Sequence, residues 1–263
     1  SLPTRQCFGQ SSYLERSATI SLSIFSFEYD TMNRAWVVLL TVAVFFIGDR
    51  LGGQLLEHVL FRSQQRFPSL YEGRFDADVV CIGNSRGVYA LDMQMVEERT
   101  GRTVVNISHN GMTPRVANAI FADYLHHNRT PKILLIEITF VTSPTSTSVV
   151  LDYKPFWSRS ERLQQLSEEF SHASVAATRW FHLYRYNSEI FLRALAYWLS
   201  GRGDQRGFMN KTITPDLLAE TKQLEPFQLK IDPNEFEALK KLIVTAQAKG
   251  VVVRPFVAPY LPT

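Results

Sequence analysis

The sequence predicts an α/β domain built on a parallel sheet. Short, mainly apolar runs recur at 79–82, 103–107, 133–138 and 251–257. That is strand length, and the apolar character of the third suits a parallel sheet covered on both faces. Segments with helix start and stop signals separate the first three runs. The spacing is a tight β-α-β-α-β, and right-handed crossovers turn such a pattern into a doubly wound sheet.

Taken in order, the chain opens with Ser1, and its first methionine is Met32. Residues 1–33 are therefore read as an N-terminal extension in which the translation of 1–31 is open, and the chain as a piece of a longer reading frame. Arg34 precedes an apolar run from Ala35 to Gly48, closed by Asp49 and Arg50. A charged start followed by such a run is a secretion signal or signal anchor. The 14-residue run is short for a hydrocarbon core of ~30 Å. Extending it to Leu56 would reach, with Asp49 and Arg50 snorkelling or paired. No A-x-A cleavage pattern follows, which favours an uncleaved anchor over residues 34–56; a buried helix of a soluble protein is the alternative. Arg34 would keep the N-terminus inside and send residues beyond about 60 outward.

Residues 57–75 show no clean period and read as a connector, so the globular domain is expected over 76–263. Val79 to Ile82 is the first strand and Gly83 its end. Asp92 caps a helix that Gly101 stops. Thr103 to Ile107 is the second strand, followed by the loop S-H-N-G-M. Thr113 caps the next helix with Pro114 at its first position, where a missing N–H costs nothing. Ile133 to Ile138 is the third strand. Residues 140–230 break the pattern: a Ser/Thr-rich loop, then helices over roughly 159–172 and 174–200. The second is dense in aromatics, including Trp180, Phe181, Tyr184, Tyr186, Phe191 and Trp198. This is a helical insertion whose aromatic side either packs over the sheet, lines a substrate wall or meets a membrane. Gly201 to Gly207 is a flexible loop. Asp232 caps a last helix, with Pro233 first and Glu235 at a capping-box position; Gly250 ends it. Val251 to Val257 is the fourth strand, with P-Y-L-P beyond it.

Composition narrows the function. A net charge of +3 without a basic stripe excludes an argument for nucleic acid. Cys7 and Cys81 supply neither a disulfide framework nor a zinc set, so no metal or cofactor is expected. Cys81 lies inside a strand and reads as a small core hydrophobe.

The candidate chemistry sits at A-D-V-V-C-I-G-N-S-R-G, residues 77–87. In an open parallel sheet, ligands bind outside the carboxyl ends of the strands. There the first strand offers Asn84, Ser85 and Arg86, and the second Asn106, Asn110 and Gly111. A serine nucleophile needs a base and oxyanion donors. The N–H groups of Ser85 and Gly111 suit the second role. Arg86 either binds an anionic substrate or fixes the turn through a salt bridge to Asp92 or Glu137. His109 lies in the same loop as Gly111 and is read as a surface residue more than a base.

These residues resemble the SGNH hydrolase (GDSL-type esterase) superfamily over roughly residues 34–263. Gly83-Asn84-Ser85 matches the family's serine block and Gly111 its second, glycine block. The layout of an anchor, D-V-V-x-I-G-N-S-R and an insertion containing L-Y-R-Y-N-S is similar to membrane-anchored bacterial members of exopolysaccharide and cell-envelope systems. The resemblance implies a flavodoxin-like three-layer α/β/α sandwich with Ser85 as nucleophile and Gly111 in the oxyanion hole; Asn84, Arg86 and Asn110 would contact substrate. It implies an ester hydrolase or O-acyltransferase acting on acylated carbohydrate, anchored in a bacterial cell membrane and facing the periplasm or exterior. Two departures stand out. The family's oxyanion asparagine after the third strand is replaced by I-E-I-T-F (Ile136 to Phe140), and its D-x-x-H block is expected beyond Thr263. A non-catalytic, membrane-tethered assembly protein with a degenerate version of the fold is the rival. A binding module for a phosphorylated ligand lacks any glycine-rich phosphate loop.

Overall fold

The structure is a computed structural model; it describes residues 11–203, 214–216, 219 and 230–258, with side-chain surroundings from residue 34 onward. The expected flexible-loop residues 204–207 and the P-Y-L-P segment lie outside the described residues. The chain divides into two compact units, residues 1–51 and 52–263.

The first unit is helical from Ser11 and continues without a break into the second, so that α1 runs Ser11–Arg62. The part from Arg34 to Arg62 has a mean hydropathy of 1.8 in its most apolar window, long and apolar enough to cross a membrane. Trp36, Leu40, Phe45 and Ile47 are exposed along it. Arg50 donates Nη1 to Asp49 Oδ2 at 3.3 Å, so the two charges that close the apolar run are paired.

The second unit is the α/β domain. Its parallel sheet has four described strands in the order β2-β1-β3-β4. They are β1 (Val79–Ile82), β2 (Val104–Asn106), β3 (Ile133–Glu137) and β4 (Val252–Phe256). The chain reverses direction across the sheet between β1 and β3, the switch point at which this strand order opens a crevice. Period-2 alternation divides the side chains between two faces. Val80, Ile82, Leu134 and Ile136 pack with α5 (Pro114–His127) and the last helix, α10 (Pro233–Ala248). Val79, Cys81 and Val104 pack on the other face with Met93 of α4 (Met93–Thr100). Helices on both faces of a parallel sheet make the three-layer α/β/α arrangement.

The segment expected to be a connector belongs to the core. The last turns of α1 bury Val59 and Leu60, and a short helix, α2 (Arg66–Tyr71), buries Phe67, Leu70 and Tyr71. The stretch lacks a helical period because two short pieces meet at Ser63–Gln65; each contributes its own anchors. Gln65 caps α2 by accepting from Phe67 N at 2.7 Å.

The insertion is more broken than its composition suggests. α6 (Thr147–Leu151), α7 (Glu161–Phe170), α8 (His172–Trp180) and α9 (Glu189–Ser200) follow one another, with 3-10 turns at 138–142, 154–156 and 183–186. The helix expected over 174–200 stops at Trp180 and restarts at Glu189. Ser188 makes the new start, accepting from Phe191 N at 3.3 Å.

Candidate active site

β1 ends in a glycine because nothing larger fits. A Cβ on Gly83 would lie 2.7 Å from Glu137 Cβ, and one on Gly87 2.7 Å from Ser108 Oγ. The pair lets α3 (Ser85–Tyr89) settle directly onto the ends of β1 and β3. Asn84 is the N-cap, its Oδ1 accepting from Arg86 N at 2.9 Å, which commits the carbonyl end of that side chain to the turn. Ser85 is the first residue of α3, half-buried. Its hydroxyl and its N–H have no hydrogen-bond partner among the described residues, as expected for an N–H in the first turn of a helix.

Around Ser85 the structure opens a cleft of about 310 Å³ lined by Ser85, Arg86, Tyr89, Ala90 and Ala258. Arg86 is held from behind. Its Nη2 donates to the carbonyl of Ala258, and its Nε lies 3.7 Å from Glu137 Oε1. Glu137 is fully buried. Both its oxygens accept from Thr139 Oγ1 at 2.8 Å, and Oε1 also accepts from Ala258 N at 3.4 Å. Glu137 is thus a carboxylate whose partners tie β3, α3 and the end of β4 together. Of the two salt-bridge partners open in the sequence, Glu137 is the one used. Asp92 is occupied as the cap of α4, accepting from Met95 N at 3.1 Å.

The second loop is stapled to the first. His109 N donates to Gly83 O at 3.1 Å, Asn106 Nδ2 to Gly87 O at 2.9 Å and Ser108 N to Asn106 Oδ1 at 2.9 Å. Arg66 of α2 braces the same loop, donating Nη1 to Ser108 O at 2.9 Å and Asn106 O at 3.2 Å. That brace had no signal in the sequence, because the connector gave no reason to put Arg66 near the loop. Gly111 has φ +72°, a left-handed conformation that glycine adopts without strain. It is exposed, and its N–H is not hydrogen-bonded among the described residues.

The expected site residues are brought together unevenly. Ser85 and Arg86 share the cleft. Asn110 reaches it only through Tyr89, donating Nδ2 to the phenol oxygen at 3.5 Å. Gly111 does not line it and faces Val149, whose Cγ2 is 3.4 Å from a built Cβ. His109 is no surface residue. It is buried between Phe67 and Tyr153, each ring 5.6 Å away edge-on, and it borders a separate small cavity with Arg66, Asn110 and Arg193. No histidine lines the Ser85 cleft among the described residues. Cys81 is buried, its thiol pushed up to about 12 by desolvation, which keeps it an unreactive core thiol. No cluster of metal-ligating side chains occurs among the described residues. The chain matches no family model, no curated protein and no solved structure.

Proposed function

We propose that the chain is a membrane-anchored serine esterase or O-acyltransferase of SGNH type, acting on acyl groups of an exported or envelope polysaccharide. The observation that carries this reading is Ser85: a half-buried hydroxyl at the carboxyl end of β1, at the switch point of the sheet, opening on a cleft with a guanidinium beside it. Ser85 Oγ attacks the acyl carbonyl carbon and the carbonyl oxygen becomes an oxyanion. The N–H of Ser85 is the donor at the cleft; the resemblance assigns Gly111 the second, from a loop that does not line it. The serine proton passes to a base, which the resemblance puts in a D-x-x-H segment beyond Thr263. The alkoxide leaving group departs protonated, and water or a sugar hydroxyl then takes the acyl group from Ser85. Arg86 supports the anionic transition state from a fixed position, in place of the missing asparagine.

In this reading the domain lies on the outer side of a bacterial cell membrane, with Arg34 on the inner side, as the positive-inside rule would orient the helix. The test is acyl release from an O-acetylated polysaccharide by the protein in membranes. Ser85→Ala should reduce release to background while leaving the fold unchanged by circular dichroism. Equal release by both proteins overturns the assignment.

One observation favours a second reading, in which the domain is a non-catalytic assembly protein. Glu137 stands where an oxyanion donor belongs, and its partners lock Arg86 in place. That reading expects neither protein to release acetate.

A further inference from the structure

We propose that the turn Trp180–Leu183 at the end of α8 seats on the lipid surface beside the anchor. The inference rests on the anchor reading of α1. The 18 residues from Arg34 to Leu51 span about 27 Å as a helix, close to the ~30 Å of a hydrocarbon core. Gly52 and Gly53 then lie at the level of the lipid headgroups.

At that level the α8 turn touches the helix backbone. A Cβ on Gly53 would lie 2.6 Å from His182 Cβ, and one on Gly52 3.0 Å from Leu183 Cδ2. The two glycines are what let the turn approach so closely. The side chains carried there are large, apolar and open to solvent: Trp180 is 65% exposed, Phe181 41% and Leu183 44%. Arginines flank them. Arg179 is mostly exposed and pairs with Glu168 Oε1 at 3.2 Å, and Arg185 donates to Thr178 O at 3.1 Å, which orders the turn.

A tryptophan and a phenylalanine between arginines, held at the depth where an apolar span leaves the bilayer, have the chemistry of an interfacial belt. Acyl-chain and glycerol regions take the rings, and the exposed guanidinium of Arg179 sits at headgroup level beside its partner Glu168. The contact would fix how the α/β domain stands on the membrane, giving the anchor a second point of attachment.

Depth-dependent quenching of tryptophan emission by brominated lipids tests this on the full chain. The chain is reconstituted in vesicles of phosphatidylcholine and phosphatidylglycerol whose acyl chains carry bromine near the headgroup. A background with Trp36→Phe and Trp198→Phe leaves Trp180 beside buried Trp157, which serves as the unquenched reference. We expect about two-fold more quenching in that background than after the further change Trp180→Phe. Equal quenching in chains that float with the vesicles overturns the seat and leaves the anchor standing. Chains that do not float overturn both. Emission that shifts with protein-to-lipid ratio without bromine quenching assigns the patch to a second copy of the chain, and also overturns the proposal. Each outcome is independent of Ser85 chemistry, which the acyl-release assay reads separately.

Discussion

Glu137 is the residue on which the Ser85 cleft depends most. Buried without exposure, it accepts from Thr139 and Ala258 and faces Arg86. Glu137→Ala should destabilise the domain by about 2 kcal/mol, a figure below that of a fully buried pair because Arg86 keeps partial contact with water. Glu137→Gln, which keeps an acceptor for Thr139, should cost less; urea denaturation of both variants gives the comparison. Gly87→Ala drives a methyl toward Ser108 and should cost about 1–3 kcal/mol by overpacking. Cys81, in a Cys7→Ser background, should resist iodoacetamide at pH 8 in the native chain and react fully in urea; fast native labelling would contradict its burial. The sequence points to Ser85 and to Arg86 because a glycine-ended strand leaves few other groups at the sheet's edge. It leaves Arg86's partner open, since Asp92 and Glu137 are equally plausible until the cap of α4 claims the first. His109 is misjudged for a similar reason: the aromatic pair that buries it, Phe67 and Tyr153, comes from two distant segments.

At the scale of elements, caps are legible where the partner is local and hidden where it is not. Asp232 caps α10 as read, accepting from Asn234 N and Glu235 N at 2.9 and 3.1 Å. Gly101 and Gly250 take the positive φ that ends a helix. Thr113 stands at the N-cap of α5 but makes no cap bond; its hydroxyl pairs with Thr145 Oγ1 at 2.5 Å. Glu235 does not close a capping box on its own helix. Its carboxylate accepts from Arg115 N at 3.1 Å, in the first turn of α5, and from Thr145 N and Oγ1 at 2.9 and 2.6 Å. One buried carboxylate thus caps a neighbouring helix and pins the Ser/Thr loop, and its negative charge suits the positive end of α5. Glu235→Ala should therefore lower stability more than Thr113→Ala, by about 1–2 kcal/mol. Thermal melts of the two variants measure the order, and a larger loss in Thr113→Ala contradicts it. The connector was illegible for the same non-local reason: six residues of α2 carry too little period to announce a helix, and only the rest of the domain supplies its burial.

The whole molecule follows the β-α-β spacing closely, because parallel strands with short crossovers have few topologies to choose from. Its interior also sets a pH limit. Desolvation pushes Cys81 and Tyr124 up to about 12 and raises Tyr71, Tyr153 and Tyr186 above the ordinary phenol value. These folded values exceed the unfolded ones, so the unfolded chain gives up its protons first. Their stability is complete below about pH 9 and is lost as pH climbs toward 12. Lys154, lowered from 10.5 by burial, runs the other way up to about that pH, one group against five. Urea midpoints should fall between pH 9 and 11; a constant midpoint would contradict the burial of these groups. The central claim is chemical, and covalent labelling reaches it most directly. The protein is treated with a serine-reactive alkyl phosphonate, and the adduct is mapped by peptide mass spectrometry. The account predicts one phosphonylated residue, Ser85, and no adduct in Ser85→Ala. Equal labelling of wild type and Ser85→Ala, or an adduct confined to another serine, contradicts it.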